Sequence, residues 1–328
     1  IKLYKQLYMI YKEESVMLEN NKLLKITKVA LIIMTVVSVL FAIMGAASAN
    51  NEGVFRVPGA SGGPGVDKVY SISGVILGIV QGLTELLPIS SSAHLAIIPW
   101  IFNWNIPDSF DVALHFGTLL AIGIFFFKDW IELIKGGYKK LVKKENSTEG
   151  RMFWYIVLAT IPGGLIGFLL DHFVGDKLTT PLIIAIALIV MGIILYFVDK
   201  NAKSTTDYEH MTLKQTFLIG LAQSLAFIPG VSRSGVTMTT ARLLKVDRES
   251  AAKYSFMLSA PIVLAATIFK IKDFVFNVPF FVGVFSSFIV GILVIKFLLK
   301  YLQKGSFKGF AIYRVIAGLV IIALTFIK

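Results

Sequence analysis

Apolar residues in this chain fall in long uninterrupted runs, with no polar face repeating at the helical period. Two of the runs, Pro181–Val198 and Phe274–Val294, contain no charged residue and approach the ~20 residues that a helix needs to cross a bilayer. A helix in the core of a soluble protein would show a polar face. The pattern therefore predicts an all-α integral membrane protein with six spanning helices, at Phe110–Phe127, Phe153–Leu170, Pro181–Val198, Ala251–Phe269, Phe274–Val294 and Ile312–Ile327.

The composition agrees with a membrane location and excludes some classes of site. The chain is 56% hydrophobic and 16% charged, and its mean hydropathy is +0.77. The net charge of +12 comes without an aromatic-interleaved basic stripe, so we expect no nucleic-acid partner and interpret the lysines as topology determinants. The absence of cysteine excludes disulfides, thiolate nucleophiles and cysteine metal sites.

The N-terminal part of the chain differs from the rest. Met17 is followed by three lysines, by the apolar stretch Val29–Met44 and by Ala47-Ser48-Ala49, an order typical of a secretory signal. We expect residues 1–49 to be an N-terminal extension with a signal peptide or signal anchor. Residues 50–67 are rich in Gly, Pro and Ser and are predicted to be an external linker. The body of the protein then begins near Lys68.

Loop charge predicts the orientation of the spans, because short cytoplasmic loops collect Lys and Arg. The loop Lys128–Arg151, the loop 200–211 and the segment Lys296–Lys308 are lysine-rich and should be inside. By this count the segment from Lys68 to Asp108 begins and ends outside, whereas Thr212–Arg248 begins and ends inside. Both are therefore predicted to be re-entrant hairpins that enter the membrane from opposite sides.

The two hairpins also resemble each other in sequence. GIVQGLTELLPISSS (Gly78–Ser92) aligns with GLAQSLAFIPGVSRS (Gly220–Ser234) at a constant offset of 142. Together with the opposed loop charge, this predicts an inverted-topology repeat. Residues 68–199 would form the first half and 212–328 the second, joined by the cytoplasmic loop 200–211. Each half would contain one re-entrant helix hairpin and three transmembrane helices.

The tip of the second hairpin is polar although it should lie near mid-membrane. Arg233 lies between Ser232 and Ser234, and Thr237 follows one turn later. Helix N-termini at such a tip favour an anion, and an arginine surrounded by hydroxyls suits a phosphate group. The alternative is that Arg233 snorkels or pairs with Glu85 for purely structural reasons.

The tip of the first hairpin carries a different set of polar residues. Gln81 and Glu85 are spaced i, i+4, and Glu85 could bind Mg²⁺ or Ca²⁺. His94 is a candidate general acid, general base or nucleophile, and Ser91 a candidate nucleophile or phosphate ligand. For Ser90, a structural role as a helix cap explains the residue as well as a functional role does.

Other polar residues are weaker candidates. Asp111 and His115 lie at i, i+4 near the start of the next helix and are predicted to have a supporting or structural role. The remaining residues are interpreted as positive-inside or loop residues without a part in the chemistry: Arg242, Lys245, Arg248, His172 and His210.

Three segments resemble a known family. QGLTELLPISSSAHL (Gln81–Leu95), PGVSRSGVT (Pro229–Thr237) and FMLSAP (Phe256–Pro261) are similar to signature segments of the undecaprenyl-diphosphatase family, which is associated with bacitracin resistance. The resemblance extends from Lys68 to the C-terminus. It implies a metal-dependent membrane phosphatase that removes the terminal phosphate of a polyprenyl diphosphate and recycles the lipid carrier of envelope glycan synthesis.

The resemblance also implies roles for individual residues. The position equivalent to Gln81 is glutamate or glutamine in the family, and here it is neutral. A divalent cation, Mg²⁺ or Ca²⁺, is implied, with Glu85 as its ligand. The implied catalytic residues are Glu85, Ser91, His94 and Arg233, and the implied substrate-binding residues are Gln81, Ser90, Ser232, Ser234 and Thr237.

Two other functions are compatible with parts of the pattern. A polyprenyl-phosphate flippase or transporter would also use inverted repeats with broken helices, but it needs no nucleophile and base beside an arginine. A structural membrane subunit would leave Glu85, His94 and Arg233 without a purpose. We expect a multi-pass protein of the plasma membrane whose site faces outside and whose partners are the bilayer and a polyprenyl diphosphate. A homodimer is compatible with the sequence, which does not fix the oligomeric state.

Overall fold

The computed structural model describes residues 64–104, 106–174 and 178–328. The predicted N-terminal extension 1–49 and most of the predicted linker 50–67 lie outside the described residues. Within the described residues the α-helices are α1 (Pro64–Leu86), α2 (Ser91–Phe102), α3 (Asp108–Phe125), α4 (Phe127–Tyr138), α5 (Thr148–Val174), α6 (Pro181–Asn201), α7 (Leu213–Gln223), α8 (Arg233–Leu243), α9 (Arg248–Lys270), α10 (Val278–Leu302) and α11 (Lys308–Ile327).

The prediction of an all-α membrane protein is confirmed. Among the described residues, α3, α6, α10, α11 and the segment Arg248–Asp273 are long and apolar enough to cross a membrane. The 27-residue helix α5 contains the sixth predicted span. Large apolar side chains such as Phe197 and Phe285 lie more than half exposed on the outside of these helices. Such a surface is suited to lipid and not to water, so the chain is a multi-pass membrane protein.

One helix was not predicted. Phe127–Tyr138 forms α4, and all but its first residue belongs to the loop Lys128–Arg151 that loop charge places inside. Leu133 is buried and α4 packs on α5. A Cβ atom on Gly136 would lie 2.6 Å from the backbone nitrogen of Gly150, so the glycine permits close contact. Loop charge predicts only the side of the membrane on which this segment lies, whereas the apolar face between the lysines is the signal for the helix.

Both predicted hairpins are pairs of helices joined by a proline-containing turn. In the first, α1 ends at Leu86 and α2 begins at Ser91, and in the second a 3₁₀ turn and Gly230 separate α7 from α8. Ser90 caps α2 and Ser232 caps α8, each by accepting a hydrogen bond from the backbone N–H three residues later. The two serines have φ angles of 77° and 73°, which are uncommon for residues with a side chain and recur at functional sites.

Glycines bring the hairpins into close contact with the long helices. α1 packs on α10, and α7 packs on α5. A Cβ atom on Gly78 would lie 2.3 Å from the carbonyl oxygen of Gly283, and one on Gly220 would lie 2.2 Å from that of Ala159. Since both substitutions would force helix backbones apart, the first helix of each hairpin is fixed by its neighbour, and so is the tip it carries.

A buried ion cluster ties α6, α8, α9 and α11 together. Asp199 Oδ1 accepts hydrogen bonds from Arg242 Nε at 2.9 Å and Arg248 Nε at 2.8 Å. Asp199 Oδ2 accepts one from the backbone N–H of Phe307 at 3.0 Å. Arg242 is only 1% exposed. These arginines, interpreted from sequence as positive-inside residues alone, therefore also have a structural role.

Candidate functional site

The two hairpin tips meet at a cavity of about 230 Å³. Most of its polar lining comes from the ends of helices: Glu85 lies in the last turn of α1, Ser91 and Ser92 begin α2, Ser232 caps α8 and Arg233 begins it. Because two helix N-termini contribute to one cavity, their free N–H groups and dipoles favour an anion there. The full lining is Glu85, Ser91, Ser92, Val112, His115, Gln223, Ala226, Phe227, Ser232, Arg233, Ile262, Val263 and Ala266.

Glu85 is the centre of the polar network. It is 6% exposed, and its Oε1 accepts a hydrogen bond from Arg233 Nη2 at 2.5 Å. Its Oε2 accepts one from the hydroxyl of Ser91 and lies 3.3 Å from His115 Nε2. Gln81 Nε2 donates to the same oxygen at 3.3 Å. The carboxylate therefore touches a guanidinium and a serine hydroxyl at once, the arrangement in which a base activates a nucleophile beside a cation.

Arg233 is held by the helix behind it. Its Nη1 donates to the carbonyl oxygen of Ser255 at 3.3 Å. The hydroxyl of Thr237 donates to the carbonyl oxygen of Arg233 at 2.8 Å and lies 2.7 Å from Ser255 Oγ. Thr237 does not line the cavity. It supports the position of Arg233, which differs from the substrate contact that the resemblance implied.

The predicted serines divide between the cavity and the turns. Ser91 and Ser232 line the cavity. Ser234 Oγ donates to the carbonyl oxygen of Leu87 at 2.9 Å and so joins the two tips. Ser90 is 1% exposed and caps α2. The role of helix cap therefore explains the position and the hydrogen bond of Ser90.

His94 is not brought into the cavity. Its Nδ1 lies 2.6 Å from the carbonyl oxygen of Ser90, its Nε2 lies 2.6 Å from Tyr313 Oη, and its ring stacks on that of Tyr313. His115, interpreted from sequence as a supporting residue, lines the cavity instead and contacts Glu85. Its Nδ1 lies 2.8 Å from the carbonyl oxygen of Asp111. The imidazole that lines the cavity is therefore that of His115 and not that of His94.

Sequence reasoning also missed Arg314. This side chain is 0% exposed and donates to carbonyl oxygens of both turns: Pro88 at 3.2 Å, Gly230 at 2.8 Å and Val231 at 2.9 Å. It therefore clamps the two tips together. The signal was available, because Arg314 is a lone charge in a predicted span, and such residues are costly unless they have a purpose.

The residues present offer little to a metal ion on their own. No group of three His, Cys, Asp or Glu residues suited to a metal occurs in the described part of the chain. Gln81 Oε1 is buried and has no hydrogen-bond partner among the described residues, but Gln81 presents its Nε2 to Glu85 and does not line the cavity. Glu85 is thus the one carboxylate that the described cavity lining offers to a hard cation such as Mg²⁺, which commonly takes its other ligands from substrate phosphates and water.

Comparison with known proteins identifies the family. A family model described as "Bacitracin resistance protein BacA" matches residues 74–320. A protein named undecaprenyl-diphosphatase from Pelotomaculum thermopropionicum is 50% identical over 254 residues, which cover 76% of this chain and 95% of that protein. Proteins of the same name from Desulforudis audaxviator and Caldicellulosiruptor bescii are 44% and 46% identical, over 78% and 76% of this chain and 98% and 95% of their own lengths. The matched region contains both tips and every residue lining the cavity, and the chain belongs to the bacitracin resistance protein BacA family.

Proposed function

We propose that this protein is an integral membrane phosphatase that hydrolyses an undecaprenyl-type polyprenyl diphosphate to the monophosphate and free phosphate. The observation that carries the proposal is the contact of Glu85 with both Ser91 and Arg233 at a cavity formed by two helix N-termini. The relatives named undecaprenyl-diphosphatase support the same substrate class. The wall of Ile262, Val263 and Ala266 beside the polar groups suits a ligand that is a phosphate at one end and a hydrocarbon at the other.

The proposed reaction uses the chain's own groups for attack and proton transfer. Ser91 Oγ gives its proton to Glu85 and attacks the terminal phosphorus. The bond from that phosphorus to the bridging oxygen breaks, and its electron pair leaves with the polyprenyl monophosphate. Glu85 passes the proton it took from Ser91 to the leaving polyprenyl monophosphate and is a carboxylate again. Water then gives a proton to Glu85 and attacks the phosphorus on Ser91. The bond from that phosphorus to Ser91 Oγ breaks, phosphate is released, and Ser91 Oγ takes the proton back from Glu85.

Arg233 would supply the charge that this reaction needs. Negative charge develops on the phosphate oxygens as the bond between the terminal phosphorus and the bridging oxygen breaks. A fixed guanidinium in a poorly hydrated cavity stabilises that charge more than solvent does. Arg233 is also the first residue of α8, so its charge adds to that of the helix N-terminus.

A divalent cation, Mg²⁺ or Ca²⁺, is part of the proposal. Glu85 would hold it at the cavity, and phosphate oxygens of the substrate would supply further ligands. When bound, it neutralises phosphate charge. Gln81 is fully buried and does not line the cavity, so it would affect substrate binding only through its hydrogen bond to Glu85.

The two halves are proposed to be an inverted repeat. Its supports are the shared offset of 142 residues between the two capped tips, the matched glycines Gly78 and Gly220, and the opposed loop charge. On this orientation the first hairpin, with Glu85 and Ser91, enters from outside. The protein would then act at the outer face of the plasma membrane and return the lipid carrier for another round of envelope glycan synthesis.

The test is phosphate release from farnesyl diphosphate by purified protein in detergent, where no membrane remains to be crossed. Wild type should release phosphate, Glu85→Gln should not, and Glu149→Gln, an exposed change in the first turn of α5, should match wild type. A polyprenyl-phosphate flippase, which the broken helices also suit, would bind the lipid and release no phosphate. That result would overturn the proposal.

A further inference from the structure

The cavity lining includes a polar side chain that has no hydrogen-bond partner among the described residues and no part in the chemistry above. Gln223, the last residue of α7, is 2% exposed and lines the cavity. Neither its Nε2 nor its Oε1 has a hydrogen-bond partner among the described residues. A buried amide without partners is costly, and buried polar groups are rarely left so. A side chain kept in this state at a cavity points to a ligand that satisfies it.

The repeat explains why this amide lacks a partner. Gln223 aligns with Gln81, and Phe227 aligns with Glu85, at the same offset of 142 residues. In the first hairpin Gln81 donates to Glu85 one turn later. In the second hairpin the residue one turn later is Phe227, which accepts no such bond, so the amide of Gln223 has lost the partner that its counterpart has.

The helix behind Gln223 limits where its amide can go. A Cβ atom on Gly163 would lie 3.0 Å from Gln223 Nε2, and one on Gly167 would lie inside the Phe227 ring. The glycines of α5 therefore make room for the two side chains and pack directly against them. On the cavity side the neighbouring lining is apolar, with Ala226, Phe227 and Ile262.

We propose that Gln223 binds the phosphate that stays on the lipid. This inference rests on the proposed function, in which Ser91 and Arg233 take the terminal phosphate. The Gln223 amide, whose Nε2 packs near Gly163 without ligand, would turn toward the cavity and donate to a non-bridging oxygen of the lipid-linked phosphate. The first isoprene unit would contact Phe227 and Ile262. A neutral donor in an apolar wall suits a group that must bind as part of the substrate and then leave as product.

The experiment replaces Gln223 with methionine, which has similar length and no hydrogen-bonding amide. In Gln223→Met, the KM for farnesyl diphosphate and the inhibition constant of farnesyl monophosphate should both rise about tenfold. This is the effect expected when one hydrogen bond to a charged group is lost. The kcat should stay within about twofold. Inhibition by inorganic phosphate should not change, because that ion binds at Arg233. Gln223→Glu should bind farnesyl monophosphate more weakly still, since it places a carboxylate against the phosphate.

Thermal unfolding without ligand separates binding from structure. Gln223→Met removes an unpartnered amide, so its Tm should equal or exceed that of wild type. Gln303→Met, at a glutamine that bonds Glu249 on the surface, is the matched control and should leave both affinities unchanged. A lowered Tm with unchanged affinities, or an equal weakening for inorganic phosphate, would overturn the assignment.

Direct binding keeps this test independent of the proposed function. The affinity of wild type and Gln223→Met for farnesyl monophosphate can be measured by calorimetry whether or not phosphate is released. Equal affinities overturn the subsite alone. An inactive wild type overturns the proposed phosphatase alone, while a tenfold difference in affinity would still establish Gln223 as a ligand-binding residue.

Discussion

Replacing Arg233 with alanine should affect both stability and turnover, for different reasons. The Glu85 carboxylate, 6% exposed, would lose the guanidinium that lies 2.5 Å from its Oε1. Breaking a buried pair by removing one partner costs about 3–5 kcal/mol. The same change removes the fixed charge beside the terminal phosphate, and loss of one such group lowers kcat by about 10²–10³.

Two further variants separate these effects. Arg233→Lys keeps the charge but cannot reach both Glu85 and the Ser255 carbonyl as the guanidinium does, so it should recover part of the stability and little turnover. Arg233→Met combined with Glu85→Gln removes both charges and should be more stable than Arg233→Ala, yet inactive.

Thermal unfolding in detergent and phosphate release from farnesyl diphosphate measure the two effects on the same samples. Arg242→Ala, at the Asp199 cluster outside the cavity, is the control that should lower Tm while leaving the KM of the folded fraction unchanged. The reasoning is refuted if Arg233→Ala unfolds at the wild-type temperature and turns over at a near-normal rate.

The remaining predictions follow from other contacts. His115→Gln can still donate a hydrogen bond to Glu85, so it should retain more activity than His115→Phe. His94→Gln should lower kcat less than His115→Phe does, because His94 lies outside the cavity. A larger loss of kcat for His94→Gln would contradict this order. Arg314→Met should lower Tm strongly, since each lost hydrogen bond from a charged donor is worth about 1.5–3 kcal/mol, and Arg314→Lys should recover part of it; an unchanged Tm for Arg314→Met would refute the clamp. In this cysteine-free chain, an impermeant maleimide should label Lys272→Cys but not Lys139→Cys in intact cells, and the opposite labelling would reverse the proposed orientation.

The sequence could predict the spans and the pairing of the tips because those depend on local features. Charge-free runs of membrane length are visible without a structure, and the proline and glycine interruptions mark where helices break. An ion pair between Arg233 and Glu85 is one of the two interpretations that the sequence allows for Arg233, because the two tips are predicted to enter the membrane from opposite sides.

Other contacts depend on side-chain direction, which sequence spacing does not fix. His94 follows Ser91 by one turn, yet its ring turns toward Tyr313 on α11. His115 reaches Glu85 only because α3 packs against α1. Arg314 is different, because a lone charge in an apolar run was a signal available in the sequence and was not used.

The most direct test of the account is chemical trapping of the enzyme during turnover. Farnesyl diphosphate labelled with ³²P in its terminal phosphate would be mixed with purified protein, quenched in acid and mapped by peptide analysis. The account predicts an acid-stable label on Ser91, absent from Ser91→Ala, with Ser306→Ala in the loop between α10 and α11 labelled like wild type. An acid-labile label on a histidine, or phosphate release by Ser91→Ala at the wild-type rate, would contradict it.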